Sequence, residues 1–162
     1  MRKTCCFTGH RHIPKEHENY IVKQLEKTVL NLIDNGYIYF GAGGALGFDT
    51  LAEKIVLHLK EQYPHIKLIL VLPCETHARG WSRKAQLEYN NIKCRADKVV
   101  YTSKNYHMGC MYKRNRHLVD ESSVCVCYLS HSTGGTAYTV NYAEKHGKCI
   151  INIADNNYQQ NR

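Results

Sequence analysis

The sequence predicts a doubly wound α/β domain of the Rossmann-like kind, a mostly parallel six-stranded sheet with helices on both faces. Three observations carry this expectation. Short apolar runs alternate with stretches of helical period along the chain, the pattern of parallel strands joined by crossover helices. The run Ile66 to Leu72 is almost wholly apolar, as in a strand buried on both faces. Glycine-rich loops follow several of the expected strands, where open α/β sheets hold their ligands.

Lys3 to Thr8 is the first strand, and it stops at Gly9-His10-Arg11. From about Lys15 the period becomes helical, with Ile21, Leu25, Val29 and Leu32 on one face and Gly36 placed to end the helix. Tyr37 to Phe40 reads as the second strand, followed by the loop Gly41-Ala42-Gly43-Gly44-Ala45-Leu46-Gly47. Phe48, Leu51, Ala52, Ile55, Val56 and Leu59 share one face of a second helix. Pro73 ends the third strand, Ile66 to Leu72. Trp81 to about Cys94 is a more polar helix, and Lys98 to Thr102 a fourth strand. A loop at Asn105 to Cys110 leads into a short helix, Tyr112 to Asp120. Val124 to Leu129 is the fifth strand and Ser130 to Thr136 a polar loop. A helix from Ala137 to Lys145 ends at Gly147, and Lys148 to Ile153 is the sixth strand. On this reading residues 1–154 form a single domain and 155–162 a polar, frayed tail.

The totals suit one globular domain. Of 162 residues, 43% are hydrophobic and 22% charged, enough to bury roughly 70% of the unfolded surface. No apolar run is long enough to span a bilayer, and the first eight residues do not form a secretory signal. The expected location is the cytoplasm, with no membrane partner. The eight cysteines form no Cys-x-x-Cys pair, and Cys5, Cys6, Cys125, Cys127 and Cys149 fall within expected strands, so they read as small buried hydrophobes. No metal site and no obligatory cofactor are expected. His10 and His12 have the spacing of a ligand pair, but ten histidines produce such spacings by chance. The formal charge of +8 favours an anionic partner, from a nucleotide phosphate to a nucleic acid.

The unusual residues fall where the strands' carboxyl ends are expected: Gly9-His10-Arg11, the Gly41 to Gly47 loop and Gly134-Gly135-Thr136. A glycine loop opening a helix presents free N–H groups and the positive end of the helix dipole, and anions bind there. Gly134-Gly135-Thr136 before Ala137 fits this, with the Thr136 hydroxyl as a further donor. The Gly41 loop is neither a clean dinucleotide fingerprint nor a P-loop. Two glycine loops at one sheet edge nevertheless favour a site over a pair of tight turns. Asp49 suits either capping of its helix or a hydrogen bond to a ribose or base. Glu53, one turn on, reads first as a solvated helix residue. Arg114 and Asn115, with Lys113 and Arg116, offer either bidentate phosphate contacts or a basic solvent face. Asp120 is spaced to pair with Arg116. Trp81, near Arg79, Arg83 and Lys84, either stacks on a base or anchors its helix.

Taken together, five blocks resemble the YpsA-like family, a branch of the SLOG superfamily. They are Thr4-Cys5-Cys6-Phe7-Thr8-Gly9-His10-Arg11, Gly43 to Glu53, Val71-Leu72-Pro73-Cys74, Gly109 to Asn115, and Gly134 to Val140. The blocks come in family order and reach to about Ile153. The resemblance implies a Rossmann-like fold and a nucleotide or nucleotide-derived ligand, and it leaves homo-oligomerisation open. The superfamily includes the LOG enzymes, which cleave the N-glycosidic bond of cytokinin nucleotides, and the DNA-processing protein A family, which binds single-stranded DNA. LOG enzymes carry a glutamate three residues after the loop threonine; here that position is Thr139.

These readings order the functions. The leading one is a nucleotide-ligand binding or sensing domain without strong catalysis, its pocket built from Gly9, His10, Arg11, Gly43, Gly44, Asp49, Arg114, Asn115, Gly134, Gly135 and Thr136. The second is a nucleotide N-glycosidase or hydrolase with Asp49 or Glu53 as the catalytic carboxylate. The third is single-stranded nucleic-acid binding.

Overall fold

The computed structural model describes residues 3–154, so the expected tail 155–162 lies outside the described residues. The elements follow in strict alternation. Strand β1 (Thr4–Gly9) is followed by a 3-10 turn at Lys15–His17 and helix α1 (Glu18–Asp34). Then come β2 (Tyr39–Ala42), α2 (Phe48–Gln62), β3 (Lys67–Leu72), α3 (Arg83–Arg95) and β4 (Lys98–Tyr101). The chain continues through α4 (Cys110–Asp120), β5 (Val124–Tyr128), α5 (Gly135–Lys145) and β6 (Cys149–Asn152).

All six strands are parallel, in the order β4-β3-β2-β1-β5-β6. The Rossmann-like α/β expectation is borne out. The chain winds outward from β1 to β4, then crosses back to lay β5 on the other side of β1. The switch point therefore lies between β1 and β5, at the loops that leave Gly9 and Tyr128.

Each sheet face has its own apolar layer. Ile21, Leu25 and Val29 of α1, Val56 and Leu59 of α2 and Ile92 of α3 bury one face with Phe7, Phe40 and Leu70. On the other, Leu118 and Val119 of α4 and Val140 and Ala143 of α5 cover Cys6, Cys125 and Cys127. Six of the eight cysteines are buried free thiols, whereas Cys94 and Cys149 are exposed. Two helices cover less of the second face than three cover the first. A cleft of about 630 Å³ remains over β2, β3 and β4, lined by Tyr39, Ile69, Val100 and Leu118 among others.

Where the elements depart from the sequence reading, local bonds account for it. Helix α1 ends as Gly36 turns to φ +85, with Tyr37 N–H donating to Leu32 O at 2.9 Å and Gly36 N–H to Ile33 O at 3.0 Å. That motif consumes Tyr37, so β2 begins later than expected and instead includes Gly41 and Ala42, which pair with Ile69 and Leu70. Trp81 lies outside α3, because Ser82 is the N-cap and accepts from Ala85 N–H at 3.2 Å. Helix α4 starts at Cys110, after Gly109 at φ +87.

Candidate functional site

The β2–α2 loop is fastened from within. Glu53 Oε1 accepts from Gly44 N–H at 3.0 Å, and Asp49 Oδ2 accepts from Ala45 N–H at 3.2 Å. From α4, Arg114 donates through Nη1 to the Gly43 carbonyl and through Nε to Asn115 Oδ1 at 2.6 Å. Asp49, Glu53 and Arg114 are only 5%, 3% and 4% exposed. These figures decide their role: the three side chains hold the loop from behind and present no charge to solvent. The expectations of a solvated Glu53 and of a basic solvent face at Arg114 are thereby corrected. The N-cap of α2 is Gly47, and Asp49 bonds back to the loop preceding it.

Burial also sets their protonation. Desolvation raises the Asp49 carboxyl to about 6, with Arg114 opposing the rise. Glu53 is pushed well above the usual carboxylate range, first by burial and then by the neighbouring Asp49. The arginine loses some of its hold on the proton through burial, while Asp49 counteracts this.

Loop β1–α1 locks onto loop β2–α2. Phe48 N–H donates to the His10 carbonyl at 3.2 Å, and Phe48 packs so closely on Gly9 that a Cβ there would lie 2.3 Å from its ring. Gly47 has φ +78, and a Cβ on it would meet the Arg11 carbonyl oxygen at 2.1 Å. Only glycine permits that approach. The Arg11 side chain remains exposed at this edge.

Across the switch point, His10 Nε2 accepts from Ser130 N–H at 2.9 Å. Its proton therefore sits on Nδ1. The ring stacks on His131 at 3.8 Å between centroids. Burial, with His131 beside it, lowers the His10 pKa to about 4, so the ring is neutral near pH 7. Next to this stack helix α5 begins. Its N-cap Gly134, at φ +95, supplies no side-chain cap, and open space surrounds both Gly134 and Gly135. The first backbone N–H groups of α5 thus point into an uncapped, approachable edge. Thr136 is buried, and Thr139 donates its hydroxyl to the Gly135 carbonyl at 2.8 Å.

The expected residues thus sort into two groups. His10, Arg11, Gly134 and Gly135 lie at the open edge, while Gly43, Gly44, Asp49 and Arg114 are buried behind it. Asn115 is half-buried and holds Arg114 in place. Arg116 does not pair with Asp120: it donates to Tyr138 Oη at 3.1 Å, and Asp120 accepts from Tyr142 Oη at 2.8 Å. Helix α5 packs alongside α4 and offers each a nearer partner. Sequence reasoning missed His77 and Tyr89, which pack with Trp81 beside Gly44. Tyr89 shares a face of α3 with Ile92, which was a legible signal; His77 lies in a polar loop without periodicity. Among the described residues no group of three or more His, Cys, Asp or Glu side chains is gathered as a metal site would require.

The chain is 31% identical over 129 residues to the UPF0398 protein BH1768 of Halalkalibacterium halodurans, covering 78% of this chain and 68% of that protein. In fold it is similar to DNA processing protein A of Helicobacter pylori, described by its single-stranded DNA binding mode, with a TM-score of 0.65 at 16% identity. That likeness covers 91% of this chain but only 63% of the other. The solved structure of TM1055 gives a TM-score of 0.56 at 18% identity, covering 93% and 72%. A model of the YspA SLOG family matches residues 6–154, from β1 through both glycine loops and past β6, and the chain belongs to that family.

Proposed function

We propose that this protein binds a nucleotide or nucleotide-derived ligand at the carboxyl edge of its sheet and acts through binding, as a sensor, more than through turnover. The observation that supports this most directly is the uncapped N-terminus of α5 at the switch point, with Gly134 and Gly135 in open space. Helix N–H groups and the helix dipole favour a phosphate there. The exposed Arg11 at the same edge adds a guanidinium for the phosphate. The reading of binding over hydrolysis follows from the carboxyls. Asp49 and Glu53 are buried and committed to the loop backbone, and the Thr139 hydroxyl is spent on its own helix.

A thermal-shift screen against nucleotides, dinucleotides, ADP-ribose and cyclic nucleotides tests this, with Arg11→Ala as control. A ligand at a hundred times its Kd adds about 2.7 kcal/mol of stability. A shift that Arg11→Ala removes is the expected result. A flat panel sinks the proposal, and release of free base from any hit replaces binding by hydrolysis.

A second reading, single-stranded nucleic-acid binding, draws on a separate observation. Tyr112 and Tyr138 form an exposed edge-to-face pair at 4.5 Å beside Arg116, and Tyr106 and Met108 in the loop before α4 are exposed as well. Aromatic and basic groups so combined suit unstacked bases, and the fold neighbour from Helicobacter pylori is described as a single-stranded DNA binder. Binding to an oligonucleotide that weakens steeply with salt is its signature; salt-insensitive binding or none rejects it.

A further inference from the structure

The segment joining β3 to α3, residues 73–82, lies against the Gly43-Gly44 loop. It is wound by short turns: His77 N–H donates to Cys74 O at 3.3 Å, Arg79 N–H to Thr76 O at 3.0 Å and Trp81 N–H to Ala78 O at 3.1 Å. These turns press His77 inward until it is 7% exposed. There it meets Trp81 at 5.1 Å and Tyr89 at 5.8 Å between ring centroids, and Trp81 meets Tyr89 at 5.3 Å, each pair edge to face. The three rings abut the glycine loop directly. A Cβ on Gly44 would lie 3.3 Å from the Tyr89 ring and 3.8 Å from His77 Nδ1.

Three polar atoms in this cluster have no protein hydrogen-bond partner: both ring nitrogens of His77 and the Tyr89 hydroxyl. Buried polar groups are paired in the great majority of cases, because leaving one bare costs free energy. Three such atoms within one aromatic cluster, beside a candidate ligand site, are hydrogen-bonding capacity held in reserve. Burial first, then Arg114 and Arg11, lowers the His77 pKa to about 3. The ring is therefore neutral and offers one donor and one acceptor. The Tyr89 hydroxyl offers the same pair of roles. Matched donor–acceptor pairs flanked by aromatic faces suit a flat heteroaromatic ring that carries both kinds of group along its edge.

We propose that His77, Tyr89 and Trp81 form the subsite for the nitrogenous ring of the ligand, with Trp81 as its stacking face and His77 and Tyr89 hydrogen-bonding its edge. This deepens the nucleotide reading above and rests on it. The ring enters as residues 75–80 turn outward. Glu75, Thr76, Arg79 and Gly80 are exposed and open space surrounds Gly80 at φ +88, so the only packed side chains this movement shifts are those of His77 and Ala78.

Trp81 is the only tryptophan of the chain, so its emission reports on this cluster alone. The test titrates purine and pyrimidine 5′-monophosphates, ribose 5-phosphate and inorganic phosphate into the full chain, followed by tryptophan fluorescence and calorimetry. At least one nucleotide is expected to change the emission and to bind tenfold or more tighter than ribose 5-phosphate. His77→Phe and Tyr89→Phe should each cut that advantage tenfold while leaving ribose 5-phosphate affinity unchanged. Both keep an aromatic ring, and since they delete bare polar atoms their melting temperatures should hold or rise. Nucleotide binding with unchanged emission, or an equal loss for nucleotide and ribose 5-phosphate in the variants, overturns the subsite and leaves the nucleotide reading standing. If none of these compounds binds, both fall.

Discussion

Replacing Arg114 with methionine tests how the glycine loop is held. Methionine has a flexible apolar stem of similar reach, so packing is largely kept while the charge and its donors are lost. Arg114 is 4% exposed, lies near Asp49 and Glu53, and donates to the Gly43 carbonyl. Removing one member of a buried charged group leaves the other uncompensated and costs about 3–5 kcal/mol. For a domain of this size each kcal/mol lowers Tm by about 2–4 °C, so Tm should fall by about 6–20 °C, with a matching fall in the urea midpoint at unchanged m-value. The deficit should shrink at acid pH, because without the guanidinium Asp49 protonates more readily and ceases to be an unpaired charge. Adding Asp49→Asn should recover more than about 1 kcal/mol of the loss. A stability change below about 1 kcal/mol, or a deficit identical at pH 5 and pH 8, would show that Arg114 acts only by filling space.

Asp49→Asn alone should flatten the pH dependence of stability. The fold raises the Asp49 pKa from 3.8 to about 6, so this group's stabilisation is complete below the lower value and lost as pH rises through the higher. The loss amounts to ~3 kcal/mol, and urea melts at half-unit pH steps should show that segment missing from the variant. Gly47→Ala should abolish folding or cost more than about 3 kcal/mol, since it combines φ +78 with a 2.1 Å clash on the Arg11 carbonyl; a well-folded variant by circular dichroism contradicts the interlocked loops. Gly135→Ala meets no atom within 4 Å, so stability should hold or rise by up to ~1 kcal/mol. Affinity for a phosphate-bearing ligand should drop about tenfold, and unchanged calorimetric affinity would move the phosphate elsewhere. The His10 ring, lowered to about 4, should titrate by proton NMR well below an ordinary histidine; a midpoint near 6.5 rejects its half-buried, stacked environment.

The sequence made the helices and the sheet plain, because burial leaves a period. The Ile21, Leu25, Val29, Leu32 spacing and the apolar run before Pro73 both became core. The bounds of β2 escaped because Gly41 carries no side chain to mark a buried strand position. Within the site, the open edge at Gly134 and Gly135 was legible from glycine chemistry. The buried tie was not. Glu53 sits next to Ala52 and three residues before Val56, both on the apolar face of α2, yet it read as a solvated helix residue. A carboxylate in that position normally goes to solvent, and only the tertiary placement of Arg114 and the Gly44 amide makes burial tolerable. His77 gave no signal at all, since its position depends on turns among polar residues.

The bonds that shape the site also dictate when it can exist. Gly43 waits for Arg114, 71 residues further on, and His10 waits for Ser130, 120 residues further on. A nascent chain emerging from the ribosome therefore has β1 and both of the first loops, tied to each other and to Asp49 and Glu53, long before Arg114 and Ser130 can complete their hold. On the proposed reading, ligand capture would become available only once the segment through α5 has docked, so binding would serve as a readout of completed folding. A chain cut between α3 and α4 would lose capture even where its first three strands stayed helix-packed. The ligand, by joining edges that arrive last, would act as the clasp that closes the fold.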